Sequence, residues 1–175
     1  MIDYWRDLET GPKPPEIIYA VIENPKGTEN KYEYDVEKKA LVLDRVLYSA
    51  VHYPGDYGFI PRTYDEDGDP LDVMVLVTNP TFPGCIMVAQ PIGLLHMLDS
   101  YKKDDKILAV PVGDSRYTEY HNLDDVPQHT LTEIAYLFET YKVLEGKPVK
   151  VLGWEDAEAA KAVIKHCQKL YQERL

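Results

Sequence analysis

A chain of 175 residues is long enough for one domain with a sizeable core, and 45% apolar with 28% charged residues is the make-up of a water-soluble globular protein. Thirty acidic residues against 19 basic ones leave a formal charge of −11, which argues against a nucleic-acid partner and suits a protein that gathers cations. The first residues carry no basic and apolar leader, no apolar run approaches membrane-spanning length, and Cys85 and Cys167 lack a C-x-x-C or His-rich setting, so the reading is a cytoplasmic chain with free thiols and no membrane partner.

Short apolar or alternating runs predict strands at residues 17–22, 32–36, 40–43, 71–77, 86–89, 92–98 and 107–112, separated by Pro-, Gly- and Asp-rich turns. Leu131, Ile134, Ala135, Phe138 and Tyr141 then recur at three- and four-residue steps, the spacing of a helix face, with Gly146 and Pro148 as its stop. A short strand is expected at 149–152. A second helix follows, with Ala157, Ala160, Ile164, Cys167 and Tyr171 as its apolar stripe. Glu155, Asp156 and Glu158 are placed in its first turn and Lys161, Lys165 and Lys169 further on, an order that suits the helix dipole. There is no repeat and no linker, so residues 1–175 read as one domain. Strands followed by helices make an α+β domain on a small barrel or a curved sheet, and the pattern alone does not choose between them.

Between two predicted strands lies Asp65-Glu66-Asp67-Gly68-Asp69-Pro70-Leu71-Asp72, which puts five carboxylates into eight residues. Like charges that close repel unless a cation joins them. Pro70 excludes a helix here, and Gly68 with Pro70 reads as a tight turn feeding a buried strand. On a strand Asp67 and Asp69 would share one face and Asp72 the other, so the turn must fold back if all three are to converge. A calcium EF-hand loop fails on spacing, because Met74 stands where its closing Glu should be. What remains is a solvated acidic turn or a Mg²⁺-type site. A second acidic group, Asp99 to Lys106, taken alone is a charged hairpin loop.

Asp67-Gly68-Asp69-Pro70-Leu71-Asp72-Val73 resembles the signature of family I soluble inorganic pyrophosphatases at every position. Ile22-Glu23-x-Pro25, Lys31-Tyr32-Glu33, Asp44-Arg45, Tyr53-Pro54, Asp56-Tyr57-Gly58, the stretch from Asp99 to Lys106, and Tyr141-Lys142 are similar to that family's other blocks, in the same order. The resemblance implies a five-stranded oligonucleotide-binding-like (OB-like) barrel flanked by helices. It implies hydrolysis of pyrophosphate to two orthophosphates with several Mg²⁺ ions, Mn²⁺ or Zn²⁺ as substitutes and Ca²⁺ as an inhibitor. It also implies a homo-oligomer, a hexamer in many members.

By the same resemblance Asp67, Asp72 and Asp104 surround a first metal, and Asp72 bridges towards a second. Asp99 and Asp104 hold one that arrives with substrate, while Glu23 and Glu33 reach metal through water. Asp69 is the proton acceptor for the attacking water. Lys31, Arg45, Lys106 and Lys142 match the phosphate-contacting positions, and Tyr57 and Tyr141 the phenolic donors; Tyr53 matches a more remote hydroxyl. Asp105 has no matching role and reads as a solvated acid. The five histidines share no ligand spacing and read as structural or surface groups, and Trp154 reads as packing. No Gly-rich nucleotide loop follows a strand. The rival readings are another Mg²⁺ phosphohydrolase, acting on polyphosphate or a nucleotide, and a non-enzymatic module that binds divalent cations.

Overall fold

The computed structural model describes residues 2–174. In chain order come β1 (Ile18–Asn24), β2 (Asn30–Asp35), β3 (Ala40–Val46), β4 (Asp56–Phe59), β5 (Asp72–Val75), β6 (Ile86–Asp99), β7 (Lys102–Lys103), β8 (Lys106–Pro111), α1 (Gln128–Thr140), β9 (Val149–Asp156) and α2 (Ala157–Glu173). Strands β1, β4, β5, β8 and β6 pair in that order, and β6 returns to β1 with Ile18 opposite Ala89 and Val21 opposite Ile86. The sheet therefore closes into a five-stranded, OB-like ring, less regular than an ideal barrel, with two helices late in the chain. Only β5 and β8 run parallel within it. The β2–β3 hairpin stands beside the ring as a separate sheet.

Two runs expected as separate strands, 86–89 and 92–98, are one strand, β6. Pro91 lacks an N–H, and the pairing with β8 slips between Pro91 and Gly93, so the break in the pattern is a bulge and not a turn. The length of β6 lets it serve β1, β8 and β9 in succession. Strand β4 escapes sequence reading because Asp-Tyr-Gly-Phe is no apolar run. Its Gly58 is pressed so close to β1 that a Cβ there would lie 1.8 Å from the Val21 carbonyl oxygen.

The uninterrupted apolar runs of β5 and β8 follow from burial on both faces. Val73, Val75, Ile107 and Ala109 pack with Ala160, Ile164 and Cys167 of α2. Met74, Leu108 and Val110 pack with Leu131, Ile134 and Phe138 of α1, and Trp154 packs against that second cluster. On α1 the buried residue beside Phe138 is Leu137, while Ala135 is half-buried. Gly146, at φ 70°, ends a short 3-10 turn (Val143–Glu145) beyond the helix and not α1 itself. Helix α2 also starts later than its charge pattern implied. Asp156 is its N-cap, accepting from the Ala159 N–H at 3.0 Å, Glu155 still belongs to β9, and only Glu158 falls in the first turn.

Candidate active site

The acidic turn is built from its own backbone. The Asp65 N–H donates to the Asp69 carbonyl at 2.8 Å and the Gly68 N–H to the Asp65 carbonyl at 3.1 Å. Gly68 takes φ 105°, a region open to glycine and costly for other residues. The Asp69 N–H donates to Asp67 Oδ1 at 3.0 Å. Past Pro70 the chain re-enters the core, where the Leu71 N–H reaches Thr63 Oγ1 at 2.9 Å. Asp67 and Asp69 thus stand at the rim and Asp72 opens β5, and all three line a cleft of about 540 Å³. Asp65 does not join them; it is buried behind the turn, near Cys167.

The same cleft collects residues from the whole chain. Glu23 comes from β1, Lys31 and Glu33 from β2, Tyr57 from β4, Asp99 from the end of β6, Asp104 and Lys106 from the start of β8, and Tyr141 and Lys142 from just beyond α1. Tyr53 also lines it, its ring stacked on Tyr57 at 5.4 Å between centroids. Arg45 departs from this set. It is in register with Lys31 but outside the cleft lining, its guanidinium bonded to Asp44 and lying 3.0 Å from Glu145. The sequence offered no signal for Glu145, which is half the chain away.

Nine carboxylates against three lysines line the cleft, an excess of hard oxygen donors that fits divalent cations. Among the described residues no three of them converge closely enough to clasp an ion as they stand. The Lys106 ammonium lies between Asp72 and Asp104 instead, 2.5 Å from each, and Lys142 pairs with Asp99 and Lys31 with Glu33. Asp67, Asp69 and Asp72 therefore converge on one cleft but not on one point.

The electrostatics follow from that crowding. Burial, reinforced by Asp72, pushes the Glu23 carboxyl up to about 8. Desolvation and the nearby Asp69 and Asp72 push Asp67 up to about 6, although its exposed tip lets water screen part of the effect. Burial and Asp104 raise Asp69 as well. Burial opposes the Lys106 charge, but Asp72 and Asp104 outweigh it and hold the ammonium well above its usual range. Burial also keeps the Tyr57 and Tyr141 phenols protonated far above neutrality.

Asp105 corrects the sequence reading. It is not solvated: it is 1% exposed, with Oδ1 3.0 Å from His96 Nδ1 and Oδ2 3.3 Å from Lys103 Nζ. A residue next to two cleft groups must point away from the cleft in an extended chain, and here that means into the protein.

The family model for inorganic pyrophosphatase matches residues 20–172. The chain is 57% identical to an inorganic pyrophosphatase of Haloferax volcanii over 99% of its length and 98% of that protein's. It is 55% identical to one from Halobacterium salinarum over 99% of each. The crystal structure of inorganic pyrophosphatase from Thermus thermophilus superposes with a TM-score of 0.94 at 45% identity, covering 98% of this chain and 99% of that one.

Proposed function

This chain belongs to the inorganic pyrophosphatase family, and on that premise we propose how its cleft divides the work of hydrolysing inorganic pyrophosphate to two orthophosphates. The observation that carries the reading is one cleft in which an excess of carboxylates meets Lys31, Lys106 and Lys142. Asp67, Asp72, Asp99 and Asp104 would hold divalent cations directly, with Glu23 and Glu33 reaching them through water. Mg²⁺ is the proposed ion, Mn²⁺ and Zn²⁺ its substitutes and Ca²⁺ an inhibitor. Bound there, the ions mask substrate charge and make water acidic enough to attack.

The chain's own residues do the rest. Asp69 stays clear of the lysine pairings that occupy Asp72, Asp99 and Asp104, so its carboxylate is placed to take the proton of the attacking water. Lys31, Lys106 and Lys142 exchange their carboxylate partners for phosphate oxygens, as point charges. Arg45, in register with Lys31, reaches substrate from outside the present lining, its guanidinium oriented by Asp44 and Glu145. Tyr57 and Tyr141, kept protonated by burial, donate hydrogen bonds to phosphate.

The proposal extends to a single domain over residues 1–175, active in the cytoplasm as a homo-oligomer, a hexamer by resemblance. No helix among the described residues is long and apolar enough to cross a membrane. Phe82, Val143 and Leu144 are exposed apolar side chains of the kind that subunit contacts cover. Sedimentation velocity tests the assembly. The activity is tested by phosphate release from pyrophosphate, ATP and tripolyphosphate with Mg²⁺, with Ca²⁺ and in chelator. The expected result is turnover of pyrophosphate with Mg²⁺, none with Ca²⁺ and none in chelator. Full activity in excess chelator would overturn the reading.

A further inference from the structure

Asp104, Asp105 and Lys106 run in extended chain into β8, and consecutive side chains leave such a chain on opposite faces. Asp104 and Lys106 line the cleft, while Asp105 is buried on the far side. There His96 and Lys103 grip the two oxygens of its carboxylate. His96 belongs to β6, where the neighbouring Leu95 is in register with Lys106 and His96 itself with Gly153 of β9. Its second nitrogen, Nε2, lies 2.8 Å from Glu155 Oε2. One imidazole thus ties the start of β8 to β9 across β6.

On the cleft side, the Lys106 ammonium pairs with Asp104 and Asp72 and lies over the Tyr57 and Phe138 rings. Lys106 is already held in the ladder, in register with Asp72 of β5 and Leu95 of β6, whereas Asp104 precedes β8 and has its N–H on the Met97 carbonyl at 3.0 Å, which leaves the direction of its carboxylate to its ion pair and to the residue that follows it. A roll of Asp104 and Asp105 about the chain axis would withdraw Asp104 from the cleft and carry Asp105 away from His96 and Lys103. Leaving the buried Asp105 carboxylate without its partners is costly, so the far-side contacts resist the motion. We infer that Asp105, held by His96, is a positioning residue for the pyrophosphatase reaction: it fixes Asp104 towards the divalent cation. The inference rests on the family reading of the cleft.

The test compares full-length His96→Asn and His96→Gln, with Asp105→Ala and Asp105→Asn beside them. Asn at position 96 keeps a donor near the place of Nδ1, towards Asp105; Gln keeps one near the place of Nε2, towards Glu155. Mg²⁺ binding is measured by calorimetry without substrate, and Mg²⁺ is titrated into the pyrophosphatase assay. Losing an outer partner of a metal ligand typically costs about 10–100-fold in metal affinity or activity. His96→Gln and Asp105→Ala should weaken Mg²⁺ binding and raise the half-saturating Mg²⁺ by roughly that factor. His96→Asn and Asp105→Asn should stay close to wild type, since each keeps the bond between positions 96 and 105. Equal Mg²⁺ affinity in His96→Gln and His96→Asn, whatever happens to their melting temperatures, would make the pair structural only and overturn the inference. That comparison decides the matter even if Asp105→Ala does not fold. A wild-type enzyme indifferent to Mg²⁺ would overturn the family reading as well.

Discussion

Arg45 and Glu145 form an ion pair outside the cleft lining, with Nε 3.0 Å from Oε1 and Nη2 donating to Oε2 at 3.2 Å. The two residues are 100 positions apart, one on β3 and the other in the turn after α1. Glu145 is the more deeply set, its side chain 6% exposed against 20% for Arg45. A planar guanidinium held by Glu145 through Nη2 and by Asp44 through Nη1 keeps a fixed orientation, which a lysine cannot do.

Arg45→Lys retains the charge and loses the fork. Hydrogen bonds to charged groups contribute about 1.5–3 kcal/mol, so KM for pyrophosphate should rise by about 10–100-fold. Mg²⁺ binding measured without substrate should not change. Glu145→Gln, which leaves Arg45 intact but less firmly aimed, should raise KM by a smaller factor. Wild-type kinetics in both variants would remove Arg45 from the substrate site.

The cleft was legible where chemistry is written in adjacent residues. The Asp67–Asp72 turn announces itself by charge density, Gly68 and Pro70, and the ordered blocks from Glu23 to Lys142 mark the strand ends that meet it. What stayed hidden depends on contacts distant in sequence. Strand β4 exists because Gly58 lets it lie against Val21, which no local pattern encodes. Asp105 looks like one more acid in a charged loop until the His96 ring is folded beneath it. Periodicity found the stripe of α2 residue by residue, since one face of the helix is buried along its whole length, Ala160, Ile164 and Cys167 in one cluster and Tyr171 beside Trp5 in another. It misjudged where α2 begins, because β9 extends up to the Asp156 cap.

Ile164 offers a test of the core apart from the site. It is fully buried on α2 against Val73, Val75 and Ile107, and lines no part of the cleft. Ile164→Ala should destabilise the fold by about 2–5 kcal/mol, the usual cost of removing that much buried aliphatic volume. Chemical denaturation should show the loss, while the specific activity of folded protein at moderate temperature stays near wild type. An unchanged midpoint would mean that α2 is not docked as described.

The histidine pair carries a pH signature in stability. Burial opposes the charge on His96, but the hydrogen bonds to Glu155 and Asp105 outweigh it and raise the pKa above the ordinary 6.5. Lys103, which also contacts Asp105, keeps its charge across this range. Because the folded state holds the proton more tightly than the unfolded state, the gain is fully present below about pH 6.5 and is lost as pH rises through the folded value. The stability difference between wild type and His96→Ala should therefore be largest near pH 5.5 and shrink by pH 9. A difference that grows with pH would mean that His96 folds in its neutral form.

Asp69 and Asp72 separate two jobs that their closeness in sequence blurs. Asp72 is engaged by Lys106 at 2.5 Å on the half-buried wall, whereas Asp69 stands at the exposed rim beside Asp67. A proton acceptor needs position more than strength when the attacking water is already acidic. Asp69→Asn keeps the shape and removes the acceptor, so kcat should fall by about 10²–10⁴, the span typical of a positioned general base. Its Mg²⁺ affinity should change little. Asp72→Asn removes charge from the wall that holds the cation, so Mg²⁺ affinity should drop and high Mg²⁺ should recover part of the rate. Activity titrations with Mg²⁺, run beside calorimetric binding, distinguish the two patterns. Rescue of Asp69→Asn by Mg²⁺ without rescue of Asp72→Asn would exchange the assignments, and normal binding with normal turnover in both would leave the acidic turn as only a turn.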